Sequence, residues 1–213
     1  MTLCIVIPMK DPQCSKQRLS DVLDPHERQN IALNLLHKTL QFLTQHFPRI
    51  SVLIVTPATV IAKIAEQYKV SVLIEQGTKG LNNAIVQAAQ HCEELGFTSQ
   101  LVLPADIIDL DYDEFKQLLN LKRPRESVII CPADDGGTNA LLTSPPRAIE
   151  FSYGLDSSRK HWRNAQQNKV HCQLLTLPNL ALDLDTAQDL QLLSADVINQ
   201  LTHNNHHHHQ LQR

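Results

Sequence analysis

The chain has 213 residues, enough for one domain that buries roughly 70% of its unfolded-state surface. Its 42% hydrophobic and 19% charged residues are ordinary for a globular protein. A net charge of −3 offers no electrostatic footprint for nucleic acid or an anionic membrane, so any anionic ligand has to be held by a local site.

The first apolar run, Leu3–Ile7, is too short and lacks the basic flank of a signal peptide, and no stretch reaches the ~20 apolar residues of a membrane span. A cytoplasmic protein is expected. Near-continuous apolar runs at Leu3–Ile7, Ser51–Thr56, Val70–Ile74, Gln100–Leu103 and Val128–Cys131 predict strands buried on both faces. Amphipathic segments alternate with them. One carries Ala32, Leu35, Leu36, Leu40, Leu43 and Phe47; another runs from Leu81 to Leu95 with apolar residues at helical spacing. A shorter helix opens at Asp111, with Glu114 completing a capping box. This order predicts an α/β fold with a mostly parallel central sheet and helices on both faces.

The rhythm changes after Cys131. A polar, glycine-bearing stretch from Pro132, a break at Ser144-Pro145-Pro146, a helix carrying His161 and Trp162, and a strand near Val170–Thr176 predict a small inserted lobe over residues 132–178 that leaves the sheet and returns. A strand near Leu180–Leu184 and a helix capped by Thr186 and Asp189 complete a single domain over residues 1–201. Residues 202–213, with four consecutive histidines, are polar and aperiodic, and disorder is expected. The five cysteines are scattered and never paired as CxxC, which fits a reducing compartment and argues against a zinc site.

Ligands of open α/β sheets bind beyond the carboxyl ends of the strands, and four polar clusters follow predicted strands. Lys10, Lys16 and Arg18 share one loop, suited to a polyphosphate or simply solvated. Thr78-Lys79-Gly80-Leu81-Asn82-Asn83 opens a helix, where an asparagine either caps it or reads a base edge. Asp106 leaves an apolar strand, placed to hold Mg²⁺ or to form a turn. Asp183 and Asp185 lie two apart, so in a strand both carboxylates face one site, a repulsion that a cation offsets; Asp185 could instead cap the last helix. In the lobe, Gly136-Gly137-Thr138-Asn139 and Gly154…Ser157 suit an anion nest or common turns, and a lone His161 reads as structural.

Taken together and in order, Lys10…Lys16-Gln17-Arg18-Leu19, Gly80-Leu81-Asn82, Pro104-Ala105-Asp106, Gly136-Gly137-Thr138-Asn139, Pro145-Pro146, Gly154…Ser157…His161 and Asp183-Leu184-Asp185-Thr186 resemble the 2-phospho-L-lactate guanylyltransferase family. That family includes the phosphoenolpyruvate and 3-phosphoglycerate guanylyltransferases of deazaflavin coenzyme F-420 biosynthesis. The resemblance spans about residues 3–193. It implies a nucleotide-diphospho-sugar transferase fold of the glycosyltransferase-A kind, related to the molybdenum-cofactor guanylyltransferases. It further implies transfer of GMP from GTP to a small phosphorylated acid, with Mg²⁺ on Asp106, Asp183 and Asp185. Lys16, Arg18 and Asp106 would serve catalysis, Lys10, Gly80 and Asn82 the nucleotide, and Thr138, Gly154 and Ser157 the acceptor; a homodimer is a family-level expectation. The sequence departs from the family at Gln17, at Ile107-Ile108-Asp109, where Asp109 adds a charge expected near the metal, and at Ala187-Gln188. Other readings are a nucleotidyltransferase for a sugar phosphate or molybdopterin-like acceptor, and a nucleotide-binding regulatory module without turnover.

Overall fold

The computed structural model describes residues 2–77 and 80–203. Seven strands form one sheet: β1 (Leu3–Pro8), β2 (Ser51–Thr56), β3 (Ser71–Ile74), β4 (Ser99–Val102), β5 (Ser127–Pro132), β6 (Thr138–Ser144) and β7 (His171–Leu174), in the order β3-β2-β1-β4-β6-β5-β7. β6 runs antiparallel to both β4 and β5; the other pairings are parallel. Helices α1 (Pro25–His46), α2 (Thr59–Tyr68) and α4 (Tyr112–Asn120) cover one face, and α3 (Leu81–Glu94) and α5 (Ser157–Gln167) the other. None of the helices among the described residues is long and apolar enough to cross a membrane.

Successive strand side chains point to opposite faces, and each strand here is apolar on both. In β1, Ile5 and Ile7 pack with Leu36, Leu40, Ile61 and Phe115, while Cys4 and Val6 pack with Ala84, Ile85 and Ala88. The start of α1 is built from local chemistry. Asp24 accepts from the Glu27 N–H, Glu27 returns the bond to the Asp24 N–H, and Pro25 occupies the first helical turn.

Three sequence expectations are corrected by the sheet. Thr138–Ser144, expected inside a lobe that leaves the sheet, is β6, an interior strand between β4 and β5; a hairpin turn through Asp135-Gly136-Gly137 brings it back beside β5. Leu180–Leu184 is not a strand: only an isolated bridge joins Ile107 and Asp183. Its apolar residues, Leu180, Ala181 and Leu184, are buried by an irregular segment instead. Glu114 does not close a capping box at α4. Asp111 caps Glu114 N–H as expected, but the Glu114 carboxylate accepts from Asn179 and the Leu180 N–H, fixing the start of that segment.

Beyond it lie α6 (Ala187–Gln191) and α7 (Ala195–Thr202). α7 packs on α1 through Leu201, Ile31 and Leu35. Asn30 and Asn34 donate their amides to the carbonyls of Thr202 and Leu201, both at 2.7 Å, which satisfies groups that a helix C-terminus leaves unpaired. Thr202 is thus a buried helix residue and not the first residue of a tail. The histidine run at 206–209 lies outside the described residues, as do Thr78 and Lys79.

Candidate active site

The chain runs outward from β1 through β2 to β3, then returns to place β4 on the other side of β1. Ligand crevices form where the strand order reverses in this way. A cleft of about 520 Å³ opens there, beyond the carboxyl ends of β1 and β4. Lys10, Lys16, Gly80, Asp106, Thr138, Asp183 and Asp185 all line it, so the four clusters that follow strands converge, joined by Thr138 from the expected lobe.

Lys16 follows a short 3₁₀ turn, Pro12–Cys14, and precedes another, Gln17–Leu19. Its backbone is left-handed (φ 55°), a strained conformation for a residue with a side chain. The turn aims the ammonium inward, where the side chain is 6% exposed. Nζ lies 2.7 Å from Asp106 Oδ2 and 3.9 Å from Asp185 Oδ1. Arg18 approaches from outside, 67% exposed, and donates to Asp185 Oδ2 at 3.0 Å. It does not line the cleft.

The tail of this cluster resolves the choice left open at Asp185. Thr186 caps α6 and Asp189 returns the bond, so the Asp185 carboxylate serves the two cations and not the helix. Burial, and after it the charge of Asp106, pushes the Asp183 carboxyl up to about 6; a bond from the Asn139 amide (3.2 Å) and the nearby Lys16 act the other way. Asn139 is thus a site residue that the sequence marked only as part of a motif.

These donors suit a hard divalent cation. They are carboxylate oxygens, and Asp106 and Asp183 sit close enough to repel. Among the described residues no group of three or more His, Cys, Asp or Glu side chains is placed to hold a metal by itself. The expected set of three carboxylate ligands is therefore not assembled as it stands; Mg²⁺ ordinarily takes one or two carboxylates and completes its shell with phosphate oxygens and water.

Other expected residues fall differently. Gly80 lines the cleft with φ 136°, a backbone conformation that side chains rarely adopt. Asn82, expected either to cap the helix or to read a base edge, does not cap α3; its amide is committed to the backbone of Tyr153, accepting from the N–H at 2.7 Å and donating to the carbonyl at 3.3 Å. It ties the start of α3 to the segment before Gly154. Thr138 and Ser157, 19 positions apart, are in contact at 2.9 Å. Ser157 is 1% exposed and stands behind Thr138, and neither it nor Gly154 lines the cleft. Asp109 faces away, lining a smaller cavity with Lys38, Gln45 and His46, so its charge is not in the carboxylate cluster. Gln17 accepts from the Arg28 guanidinium at 2.9 Å, which gives that departure a packing role.

Residues 3–205 match the family model described as guanylyl transferase CofC like. The chain is 52% identical to the 3-phospho-D-glycerate guanylyltransferase of Colwellia psychrerythraea, over 89% of this chain and 90% of that one. It is 34% identical to the phosphoenolpyruvate guanylyltransferase of Roseiflexus castenholzii, over 91% and 89%. Among solved structures it is similar to a chain from Desulfovibrio desulfuricans G20 described as a nucleotide-diphospho-sugar transferase, with a TM-score of 0.65 at 19% identity, covering 92% of this chain and 88% of that one. At that identity the likeness shows the fold alone.

Proposed function

The chain belongs to the CofC-like guanylyl transferase family, and on that premise we propose that it joins GMP from GTP to 3-phospho-D-glycerate with release of pyrophosphate. The identity of 52% to a relative named for that acid, against 34% to one named for phosphoenolpyruvate, carries the choice of acceptor. The convergence of Lys10, Lys16, Asp106 and Thr138 on one cleft supports the chemistry.

A phosphate oxygen of the acceptor attacks the α-phosphorus of GTP in line, and the bond to the leaving pyrophosphate breaks. The acceptor phosphate is ionised at neutral pH, so no side chain has to remove a proton. Catalysis then rests on positioning and charge. Lys10 and the Gly80 turn receive the nucleotide, whose guanine is selected from the Gly80–Asn83 region. Lys16, inside the cleft, balances charge gathering on pyrophosphate, and Arg18 contributes from outside through its pairing with Asp185. Asp106, Asp183 and Asp185 are the carboxylates that would hold Mg²⁺, one or two of them as direct ligands, and the ion would supply positive charge to offset phosphate oxygens. Thr138, with Ser157 behind it, receives the acid's anionic group, and Gly154 enters through its carbonyl, which accepts from the Ser157 N–H. The product is an activated donor, which we place in cytoplasmic deazaflavin coenzyme F-420 biosynthesis; a homodimer is the assembly that the family resemblance implies.

Pyrophosphate release tests this reading, with GTP or ATP, each of 3-phosphoglycerate, phosphoenolpyruvate and 2-phospholactate, and Mg²⁺ or chelator. The highest kcat/KM is expected for GTP with 3-phosphoglycerate and Mg²⁺. No release with any acid sinks guanylyl transfer. A preference for another acid corrects the acceptor alone, and equal rates with ATP correct the base.

A further inference from the structure

His161 is 0% exposed, and both edges of its ring are engaged. The Ser152 backbone N–H donates to Nε2 at 3.0 Å. A backbone N–H can only donate, so Nε2 carries no hydrogen and the neutral ring holds its hydrogen on Nδ1. Nδ1 lies 3.1 Å from Thr138 Oγ1 and donates to it. Thr138 Oγ1 is in turn 2.9 Å from Ser157 Oγ.

The hydrogens can now be assigned. One ring hydrogen and two hydroxyl hydrogens serve two contacts. The ring hydrogen fills the first contact and a hydroxyl hydrogen fills the second. One hydroxyl hydrogen is left over, on a pair whose Thr138 side lines the cleft. With the opposite tautomer, Nδ1 would accept from Thr138 and both hydroxyl hydrogens would be consumed. The pair would then turn only lone pairs toward the cleft, and an anion would be repelled.

We propose that His161 is a positioning residue that keeps the Thr138–Ser157 pair a hydrogen donor toward the anionic acceptor, by holding its own hydrogen on Nδ1. It acts through Thr138 and touches neither substrate. Its partner is held by the same helix: Asn164 of α5 donates to the Glu150 carbonyl at 2.8 Å and to Ser152 Oγ at 3.0 Å, fixing the N–H that sets the tautomer. Burial, and then the charge of Lys160, pushes the ring's pKa down to about 4, so the ring is neutral at working pH. The inference rests on the acid-guanylylation reading above.

Two substitutions separate positioning from packing. In His161→Asn the amide nitrogen takes the place of Nδ1 and still donates to Thr138, but the link to Ser152 is lost. In His161→Gln the longer side chain accepts from Ser152 and the donor at Nδ1 is lost. His161→Gln is expected to raise the acid's KM by about tenfold or more, as for a lost hydrogen bond to a charged group. The KM for GTP should stay within about twofold, and His161→Asn within about threefold of wild type for the acid, even if it melts lower. The reverse ranking, with affinity following thermal stability, overturns the proposal. In a Thr138→Val background His161→Gln should add nothing to the acid's KM; a full further increase overturns it too. The tautomer is also readable without kinetics, from ¹H–¹⁵N NMR of wild-type protein, and a hydrogen on Nε2 overturns the proposal even where His161→Gln fails to fold. Wild-type protein that releases no pyrophosphate with any acid sinks the acid reading itself, and the inference falls with it.

Discussion

Lys16 holds a left-handed backbone so that one ammonium can lie among carboxylates that repel each other. Its partner Asp106 is 31% exposed at the side chain, and Asp185, 3.9 Å away, remains to balance the buried ammonium when Asp106 becomes an amide that still offers it an oxygen. Asp106→Asn should therefore lower turnover by more than about 100-fold while thermal unfolding barely moves. Normal activity in a folded variant removes Asp106 from the chemistry. Asp183 behaves differently, because its raised pKa means that the folded protein disfavours its charge at neutral pH. Asp183→Asn keeps an oxygen to accept from Asn139 and removes the repulsion with Asp106. We expect it to stabilise the protein by about 1 kcal/mol, after allowing for solvent screening, while turnover is lost. A variant less stable than wild type contradicts that account. The pairing of Lys16 with Asp106 spans 90 positions, and no local pattern in the sequence announces it.

Elements that carry the site are held by side chains reaching to backbone. Asn34 on α1 bonds carbonyls at the end of α7 and just beyond it, and Asn82 at the start of α3 bonds both backbone polar groups of Tyr153. Asn34 is buried, so Asn34→Ala leaves carbonyls without a donor and should cost about 1–3 kcal/mol, read as a lower melting temperature. Activity per folded molecule should be unchanged, since α7 lies away from the cleft; a selective loss of activity rules out a purely structural role. Periodicity revealed α3 well because one stripe of it, Ala84, Ile85, Ala88, Ala89 and Cys92, is apolar. It missed β6, where Thr138-Asn139-Ala140-Leu141-Leu142-Thr143-Ser144 is buried throughout and polar residues occupy both ends. Those ends are polar for a reason: Asn139 and Thr138 belong to the site, and Ser144 bonds Ser99.

At the scale of the molecule, acid stability should register one buried histidine. The His161 pKa falls from 6.5 to about 4 on folding. Between those values the unfolded chain binds a proton that the folded chain does not, so acidification across that window favours unfolding; above it both forms are neutral. The loss should reach about 3 kcal/mol by pH 4. Asp183 acts in the opposite sense, because its raised pKa lets the folded form take up a proton first as pH falls through about 6 toward 3.8. That contribution is common to wild type and His161→Asn and cancels in their difference. The variant should therefore have a flatter acid limb in denaturant unfolding measured from pH 7 to 4, and a parallel limb contradicts the buried neutral ring.

The sequence by itself determined the α/β class, five of the strands to within a residue at most ends, the caps at Asp111 and Thr186, and the residues from which the cleft is drawn. These are encoded locally, in apolar periods and in side chains that bond backbone three residues away. Strand order, the reversal of β6 and the irregular course of 180–184 came from the tertiary structure, because they depend on which buried faces meet. So did the distinction between Asn139, which supports Asp183, and Asn82, which clamps a backbone. An asparagine's chemistry is the same at both positions, and only the group brought within 3 Å or so decides what it does.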